Sequence, residues 1–531
     1  MRPAASFRPP WWARAVLAAG GGLLVWLTFP DHGLHPLGVP GTALICLAMW
    51  GSRARGAFAL GLLAGLAIFA PTLHWSGIYV GAFPWLALAT VQALYVAVMG
   101  AVVAAVQRPL ILRGREGLAA LTFALAWVLQ ELVRGSVPFG GFPWARLAFG
   151  QADSPVARWA WVGGAPLVSL VMVLLGTALA AVVIRRSGTD LVALGAAAVL
   201  ALAGLALPLP AMAGDDATPA RVALVQGNVP APGLDFNAER RKVLDNHVTG
   251  TETLAERGEQ IDVVVWPENS SDIDPLRNAD AAAQVQRALA AVDVPLVVGA
   301  ILDEPAPEVS NASLLYAPGQ DEPVSRYVKQ HPVPFAEYVP YRDFFRLFSD
   351  KVDLVRVGFA KGEGPRSFEI QGAQAPFALV PTICFEVAYD GLMRDAVAHA
   401  DATGTPSVLL VQTNNATFGY TAESTQQLAI SRIRAIEHGR PVAHVSTVGV
   451  SAVIGPDGAV DQPTELFTPA QIVSTLGARS GLTPADRLGP WVEWLCGVGL
   501  LGLLLASRRR PGRPDRLEGQ TITEAEIHDR A

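Results

Sequence analysis

The chain combines two patterns of hydrophobic and polar positions. Up to about residue 211, and again over residues 490–506, long apolar runs are separated by short polar segments. Residues 212–488 instead alternate short apolar runs with amphipathic stretches. The first pattern predicts membrane-spanning helices, each of which needs about 20 mainly apolar residues. The second pattern predicts an α/β domain that folds outside the membrane.

The apolar runs predict seven spans before the α/β domain and one after it. The first run resembles a signal peptide, but it has no clear cleavage site and further spans follow, so we interpret it as a retained helix. The second run is short, and a re-entrant segment is the alternative. The predicted spans are Ala13–Phe29, Leu37–Trp50, Ala57–Leu73, Pro84–Val106, Leu118–Val133, Trp161–Ile184, Leu191–Leu207 and Pro490–Ala506.

The positions of the arginines predict the orientation of these spans. Arginines occupy alternate connecting segments, whereas the opposite loops 30–36 and 74–83 contain neither Lys nor Arg. Because arginine-rich short loops stay in the cytoplasm, residues 212–488 are predicted to lie outside. The outer loop Gly135–Arg158 departs from this rule, since it holds Arg146 and Arg158. Contact with a phosphate headgroup would explain these arginines, and so would ordinary interfacial anchoring.

The α/β domain carries three chemically distinct side chains at the ends of strand-like runs. These are Glu268, Lys329 and Cys384. Functional groups gather at the carboxyl ends of strands in open α/β sheets. A thiol nucleophile, a carboxylate that takes its proton and an ammonium that stabilises the oxyanion are suited to acyl transfer through a thioester. Taken singly, each residue has an ordinary alternative: a turn or N-cap glutamate, a surface lysine and a core cysteine.

Composition agrees with this division. The chain has 531 residues, of which 51% are hydrophobic and 16% charged, as expected for an integral membrane protein. The formal net charge is −6 and the acidic excess lies mostly in the α/β domain, so we expect no nucleic-acid binding. Only one of the three cysteines lies in that domain, which excludes a disulfide within it. His and Cys nowhere cluster at ligand spacing, so no metal and no other cofactor is expected.

The segments around the three residues resemble the nitrilase, or carbon–nitrogen hydrolase, superfamily, which has a Glu–Lys–Cys triad. The membrane spans narrow the resemblance to the apolipoprotein N-acyltransferase family. It covers roughly residues 10–506. The segments that carry it are Gly141–Trp144, Val225–Pro230, Trp266–Glu268, Lys329–Pro340, Thr382–Glu386, Asn414–Gly419 and Arg432–Pro441.

The resemblance implies a fold and a set of site residues. The fold class is a polytopic α-helical membrane domain of about eight spans with an extracytoplasmic, nitrilase-like αββα sandwich. The implied catalytic roles are proton acceptor for Glu268, oxyanion and thiolate stabiliser for Lys329, nucleophile for Cys384 and a supporting role for Glu337. Expected substrate-binding residues are Phe385, Glu386, Phe236, Asn414 and Trp144.

The resemblance also implies a reaction. A fatty acyl chain passes from a membrane phospholipid to Cys384 and then to the N-terminal amine of an S-diacylglyceryl-cysteine lipoprotein, the last step of lipoprotein maturation. The expected partners are therefore the phospholipid donor, the diacylated apolipoprotein acceptor and the bilayer, in the cytoplasmic membrane with the catalytic domain on the outer face. The expected domains are 1–211 transmembrane, 212–488 catalytic, 489–507 C-terminal transmembrane helix and 508–531 a cytoplasmic tail without fixed structure.

This chemistry requires shelter from water, because acyl chains and a thioester must both be protected. We expect the loop Gly135–Arg158 and the arms Phe335–Phe348 and Thr417–Gln426 to provide it. The aromatic residues Phe344, Phe345 and Phe348 are suited to contact lipid, or alternatively to form a core patch under a loop.

Two other functions fit parts of the sequence. A membrane-tethered amidase or nitrilase that hydrolyses a small amide would use the same triad, but one or two spans would suffice to tether it. A non-enzymatic carrier or scaffold would not need an intact Glu268, Lys329 and Cys384. Its spans also lack the intramembrane charges that transport usually requires.

Overall fold

A computed structural model of the protein describes residue 7 and residues 9–214, 216–234 and 241–508. Each predicted span corresponds to a helix in it. Six segments are long and apolar enough to cross a membrane, namely Ala54–Thr72, Ala82–Leu112, Glu116–Arg134, Pro155–Arg185, Gly188–Ala206 and Trp491–Arg508. The helices are α1 (Trp11–Trp26), α2 (Gly38–Met49), α3 (Ala54–Thr72), α4 (Ala82–Leu112), α5 (Glu116–Arg134), α6 (Ala160–Arg185), α7 (Gly188–Ala203) and α14 (Trp491–Arg508).

Two of the eight predicted spans are shorter than a membrane-crossing helix. The helices α1 and α2 have 16 and 12 residues. The model therefore supports about six spans by length and composition, where the sequence predicted eight. The predicted tail beyond residue 508 lies outside the described residues.

The α/β domain contains two mixed six-stranded sheets. The first has the order β12-β1-β2-β3-β4-β5 and the second β11-β10-β9-β8-β7-β6. The strands are β1 (Thr218–Gln226), β2 (Val263–Val265), β3 (Leu296–Leu302), β4 (Ser310–Tyr316), β5 (Ser325–Val328), β6 (Phe368–Gln371), β7 (Pro376–Ile383), β8 (Ser407–Thr413), β9 (Val442–Ser446), β10 (Ala452–Ile454), β11 (Val460–Asp461) and β12 (Ala470–Ala478). The helices are α8 (Lys242–Ala255), α9 (Ala279–Val292), α10 (Arg342–Arg346), α11 (Asp390–Ala402), α12 (Glu423–His438) and α13 (Pro484–Leu488).

The sheets pack face to face, and helices cover their outer faces. Val222 and Leu224 of β1 share a core between the sheets with Leu379 of β7. Helices α8 and α9 form a second core against the far side of the first sheet. This confirms the predicted αββα sandwich attached to a helical membrane domain. The central strands β2, β8 and β9 are fully buried because both faces of each sheet are covered.

The second helical layer also packs against the membrane helices. One continuous core contains Val380 of β7, Ile433 of α12 and Val168 of α6. The contact of α12 with α6 is close at Gly164, where a Cβ atom would meet the Glu437 carboxylate at 2.8 Å and φ is +66°. A side chain at this position would clash and would also strain the backbone.

Helix α12 is buried on nearly all sides although it carries many polar side chains. Each of these needs a partner, because an unpaired buried polar group is costly. The Arg434 guanidinium, 0% exposed, contacts Asp390 at 2.7 Å and Glu437 at 2.5 Å. It also donates to the carbonyls of Val387 and Ala388, both at 2.8 Å. Helix α12 thereby holds the turn that follows β7.

Replacing Arg434 with Ala should lower the free energy of unfolding by about 3–5 kcal/mol, because it leaves the buried Glu437 carboxylate without its ion-pair partner and removes one of the two arginines that pair with Asp390. Thermal unfolding in detergent measures this change. Arg287→Ala is the matched control, since Arg287 and Glu252 form an ion pair in which both side chains are exposed. The control should cost about 0–1 kcal/mol. Equal melting temperatures for the two variants would contradict the assigned role of Arg434.

Candidate active site

Both sheets supply side chains to one site between them. Lys329 follows the last residue of β5, Glu268 lies three residues after β2, and Cys384 follows the last residue of β7. The first two come from the first sheet and the third from the second sheet. Because the sheets pack face to face, residues far apart in the chain meet at their strand ends.

A buried ion-pair cluster lies at the centre of this site. The Lys329 ammonium is 3.1 Å from Glu268 Oε1 and 2.8 Å from Glu337 Oε1. Lys329 is 1% exposed and Glu268 4%. Asn311 Nδ2, from β4, donates to Glu268 at 2.6 Å and to Glu337 at 3.3 Å. The structure therefore brings together the predicted Glu268, Lys329 and Glu337.

Cys384 lies at a strained turn beside this cluster. It begins a short 3₁₀ turn, Cys384–Ala388, and has φ +56°. A non-glycine residue in this conformation is uncommon, and such strain is often found at active sites. Cys384 is partly exposed, whereas Cys46 and Cys496 are buried within the helical core. Burial raises the pKa of the Cys384 thiol, and the charge of Lys329 acts against this rise.

The carboxylate of Glu386 connects the nucleophile turn to the lysine segment. It accepts hydrogen bonds from the backbone N–H of Ile383 at 2.7 Å, of Gln330 at 2.6 Å and of His331 at 3.1 Å. It also accepts one from the Tyr327 hydroxyl at 2.8 Å. Glu386 is fully buried. These bonds position Cys384 relative to Lys329, while the predicted contact of Glu386 with substrate stays a prediction.

Burial dominates the electrostatics of the site. It raises the pKa of Glu268, and the nearby Glu337 raises it further, although Lys329 acts in the opposite direction. Burial lowers the pKa of Lys329, but the charges of Glu268 and Glu337 outweigh this and hold it well above its usual value. Burial and the charge of Glu268 raise the pKa of the Cys384 thiol. The resting nucleophile is therefore a thiol that must lose its proton as it attacks.

Two of the predicted substrate-binding residues form a contact between the domains. Trp144 is 1% exposed and stacks on Phe385, with 5.4 Å between ring centroids and 6° between planes. The Trp144 indole donates to Gln426 Oε1 at 2.8 Å. Gln426 also accepts from Trp75 at 3.2 Å. The residue after the nucleophile thus packs against the loop that follows α5.

The remaining two predicted substrate-binding residues are Asn414, which the structure describes, and Phe236, which it does not. Asn414 is 9% exposed, and its side-chain oxygen accepts from the Ala416 N–H at 3.1 Å. Phe236 lies outside the described residues. A direct contact of either with substrate stays a prediction.

The arginines of the outer loop have protein partners. Arg146 pairs with Asp390 at 2.5 Å and is 4% exposed, and Arg158 donates to the Leu207 carbonyl at 2.8 Å. Arg134 donates to the carbonyls of Phe142 at 2.9 Å and Trp144 at 2.6 Å. Arg146 therefore joins the loop to the α/β domain, whereas Arg134 donates within the loop. Contact of Arg146 or Arg158 with a phosphate stays a prediction.

The predicted arm Phe335–Phe348 contacts that loop. Phe139 of the loop lies 6.3 Å from Phe345, ring centre to ring centre, and Phe345 lies 4.8 Å from Phe335. Phe344 and Phe348 are 55% and 62% exposed. Phe345 is therefore part of a packed aromatic cluster, and Phe344 joins it at 5.2 Å from Phe345. Contact of the exposed Phe344 and Phe348 with lipid stays a prediction.

Several residues that shape the site were not predicted from the sequence. Asn311 lies within a short buried strand where an amide is unusual, and this is the signal that marks it. Arg434 lies in a segment that the resemblance included, but its contacts depend on the tertiary structure. Among the described residues, no cluster of His, Cys, Asp and Glu is arranged to hold a metal ion.

Comparisons with known proteins identify the family. A family model described as the apolipoprotein N-acyltransferase N-terminal domain matches residues 21–178, and a carbon-nitrogen hydrolase model matches residues 221–468. An apolipoprotein N-acyltransferase of Mycolicibacterium smegmatis is 40% identical over 526 residues, covering 93% of this chain and 85% of the relative. The chain belongs to the apolipoprotein N-acyltransferase family. This confirms the family inferred from the sequence, and with it an enzyme of the carbon–nitrogen hydrolase superfamily.

More distant proteins show similar coverage. The apolipoprotein N-acyltransferase of Ralstonia nicotianae is 30% identical over 514 residues, covering 94% of each chain. Among solved structures, an amidase from Nesterenkonia sp. is 18% identical with a TM-score of 0.34, covering 50% of this chain and 92% of its own.

Replacing Asn311 with Leu should slow acylation of Cys384 by about 10²-fold, because Glu268 loses the donor that orients it and misplaced catalytic groups cost about that much. Single-turnover labelling with a fluorescent-chain phospholipid measures the rate. The matched control is Asn246→Leu, outside this site, where the amide donates to the Asn228 carbonyl at 3.3 Å. An unchanged rate in Asn311→Leu would show that Glu268 needs no such support.

The rate of acylation should also fall as pH falls, through a pKa above the ordinary glutamate value, because only ionised Glu268 accepts the thiol proton. Lys329 keeps its proton throughout this range, since its pKa is raised. Glu337→Gln removes a charge that raises the pKa of Glu268, so it should move the profile to lower pH. A profile that moves to higher pH, or does not move, would contradict this electrostatic account.

Proposed function

We propose that this protein transfers a fatty acyl chain from a membrane phospholipid, through a thioester on Cys384, to the N-terminal amine of an S-diacylglyceryl-cysteine lipoprotein. The observation that carries the proposal is the Glu268–Lys329 ion pair beside a strained, partly exposed thiol, in a domain whose core is continuous with membrane helices. The names of the relatives agree with it.

In the first step, Glu268 accepts the thiol proton as the Cys384 sulfur attacks the ester carbonyl carbon of the phospholipid. Lys329 stabilises the negative charge that develops on the carbonyl oxygen. When the tetrahedral intermediate collapses, the ester C–O bond breaks and the proton on Glu268 passes to the leaving oxygen. A lysophospholipid departs and the acyl chain remains on sulfur. In the second step, an amine attacks the thioester carbon and Cys384 is regenerated as the C–S bond breaks.

We further propose that the protein lies in the cytoplasmic membrane with its α/β domain on the outer face. The arginine distribution along the sequence supports this orientation. Both proposed substrates are anchored by acyl chains, so they reach a site only at a membrane surface. The packing of α12 against α6 keeps the site at a fixed position relative to the membrane helices. This position favours lipid-anchored substrates over a small soluble amide.

The direct test is to incubate the detergent-purified protein with a fluorescent-chain phospholipid. We expect label on the protein that hydroxylamine removes, because thioesters react with it, and no label on Cys384→Ala. Adding a diacylated lipopeptide with a free N-terminal amine should move the label to the peptide. Cys496→Ala, which removes a buried cysteine of α14, is the matched control and should label normally.

The possible failures of this test are distinct. Label that persists in Cys384→Ala would exclude the thioester on this residue. Label that forms on wild type but is released as free fatty acid in the presence of lipopeptide would indicate a hydrolase instead of a transferase.

A further inference from the structure

One buried carboxyl beside the site takes no part in the cluster around Lys329. Glu423, the first residue of α12, is 2% exposed. Its Oε2 accepts a hydrogen bond from Asn415 Nδ2 at 2.6 Å. Within the described ranges, no Lys, Arg or His forms an ion pair with it. A carboxyl buried in this way must either hold a proton or receive a cation from outside the chain.

The site as a whole has more carboxyls than cations. Glu268 and Glu337 share Lys329, and Glu386 is satisfied by backbone N–H groups and a hydroxyl. The charge of Glu268 acts on Glu423, and the charge of Glu423 acts on the Cys384 thiol, so Glu423 belongs to the same electrostatic centre. This surplus of acidic groups favours entry of a cationic molecule.

A buried hydrogen-bond donor near Glu423 also lacks an acceptor among the described residues. Gln427 Oε1 accepts from Asn415 Nδ2 and from Thr413 Oγ1, both at 2.9 Å. Gln427 Nε2 is buried and has no partner in the part of the chain that the structure describes. Thr413 ends β8 beside Cys384, because Gln412 of β8 pairs in register with Ile383 of β7. The N-terminus of a peptide brings an ammonium and a carbonyl, which are the two partners that this buried cluster lacks.

We propose that Glu423 binds the α-ammonium group of the acyl acceptor and takes its first proton. This inference rests on the proposed function, and it assigns the acceptor amine to a particular side chain. Burial raises the pKa of Glu423 to about 8, with a further contribution from the charge of Glu268. An ammonium beside this carboxyl lowers the pKa again, so the acceptor itself favours the ionised form that binds it.

The transfer step then balances in protons and electrons. The ammonium gives one proton to the Glu423 carboxylate and becomes an amine with a free lone pair. That lone pair attacks the thioester carbon, and the new C–N bond forms as the C–S bond breaks. Glu268 takes the second nitrogen proton and passes it to the departing Cys384 sulfur. Glu423 releases its proton to solvent when the product leaves.

The test measures the two half-reactions of Glu423→Gln separately. Glutamine keeps the size of the side chain and an oxygen that can accept from Asn415, but it cannot carry the negative charge. Transfer to the diacylated lipopeptide should fall by about 10²-fold relative to acylation by the fluorescent-chain phospholipid, both measured on the same variant. Hydroxylamine is largely uncharged at neutral pH, so it should discharge both acyl-enzymes equally. Glu465→Gln, at an exposed position, is the matched control.

A binding measurement supports the kinetics. In the Cys384→Ala background, the lipopeptide with a free amine should bind about 10-fold more tightly than its N-acetylated form, since a buried charge-assisted contact contributes 1.4 kcal/mol or more. Adding Glu423→Gln should remove this preference. Equal binding of the two peptides before the second substitution would overturn the assignment.

Three kinetic outcomes decide the matter. Unchanged transfer by Glu423→Gln overturns the inference and leaves the proposed function standing. Equal loss in acylation, transfer and hydroxylamine discharge shows a structural role and also overturns it. If wild type itself forms no acyl-enzyme or transfers nothing to the lipopeptide, the proposed function fails.

Discussion

The site depends on one ammonium group placed among buried carboxylates. Lys329 contacts Glu268 and Glu337 in an environment from which water is nearly excluded. In such surroundings the charges interact strongly. Removing either partner would leave the other charge buried and unpaired. The same ammonium is available to the oxyanion and to the thiolate. Much of the surrounding structure holds this lysine and its partners in place.

Two further side chains, those of Glu386 and Arg434, hold the turn at Cys384 in place. The Glu386 carboxylate accepts hydrogen bonds from backbone N–H groups of both the lysine segment and the strand before Cys384. Arg434 holds the carbonyls that follow Cys384, and it shares Asp390 with Arg146 of the membrane domain. The strained turn at Cys384 is therefore fixed from both sides. Because Cys384 is held in this way, little of the surrounding structure would have to rearrange when its sulfur attacks.

Helix α12 links the catalytic chemistry to the membrane. Its apolar residues belong to the core of the membrane helices, and its polar residues contact the outer loops through Gln426 and the nucleophile turn through Arg434. Glu423 at its first turn adds a carboxyl next to the site. One buried helix thus sets the distance between the reactive sulfur and the lipid surface that supplies its proposed substrates.

The sequence by itself determined the division into membrane helices and α/β domain, because apolar length and strand alternation are local properties. The resemblance of several segments indicated the family, which the relatives confirm. The sequence also marked Glu268, Lys329 and Cys384 as candidate site residues, because each follows a recognisable strand-like run. Helix α1, by contrast, ends at Trp26, before the end of the predicted span at Phe29, whereas α2 is short because its apolar run is short.

Tertiary structure alone decided the partners of these residues. Asn311 supports Glu268 because β4 lies next to β5 in the first sheet. Trp144 meets Phe385, and Arg146 meets Asp390, because a membrane loop and the α/β domain pack together. These contacts join residues from 43 to 244 positions apart. No local pattern encodes them, since they arise only when separate apolar faces are buried against one another.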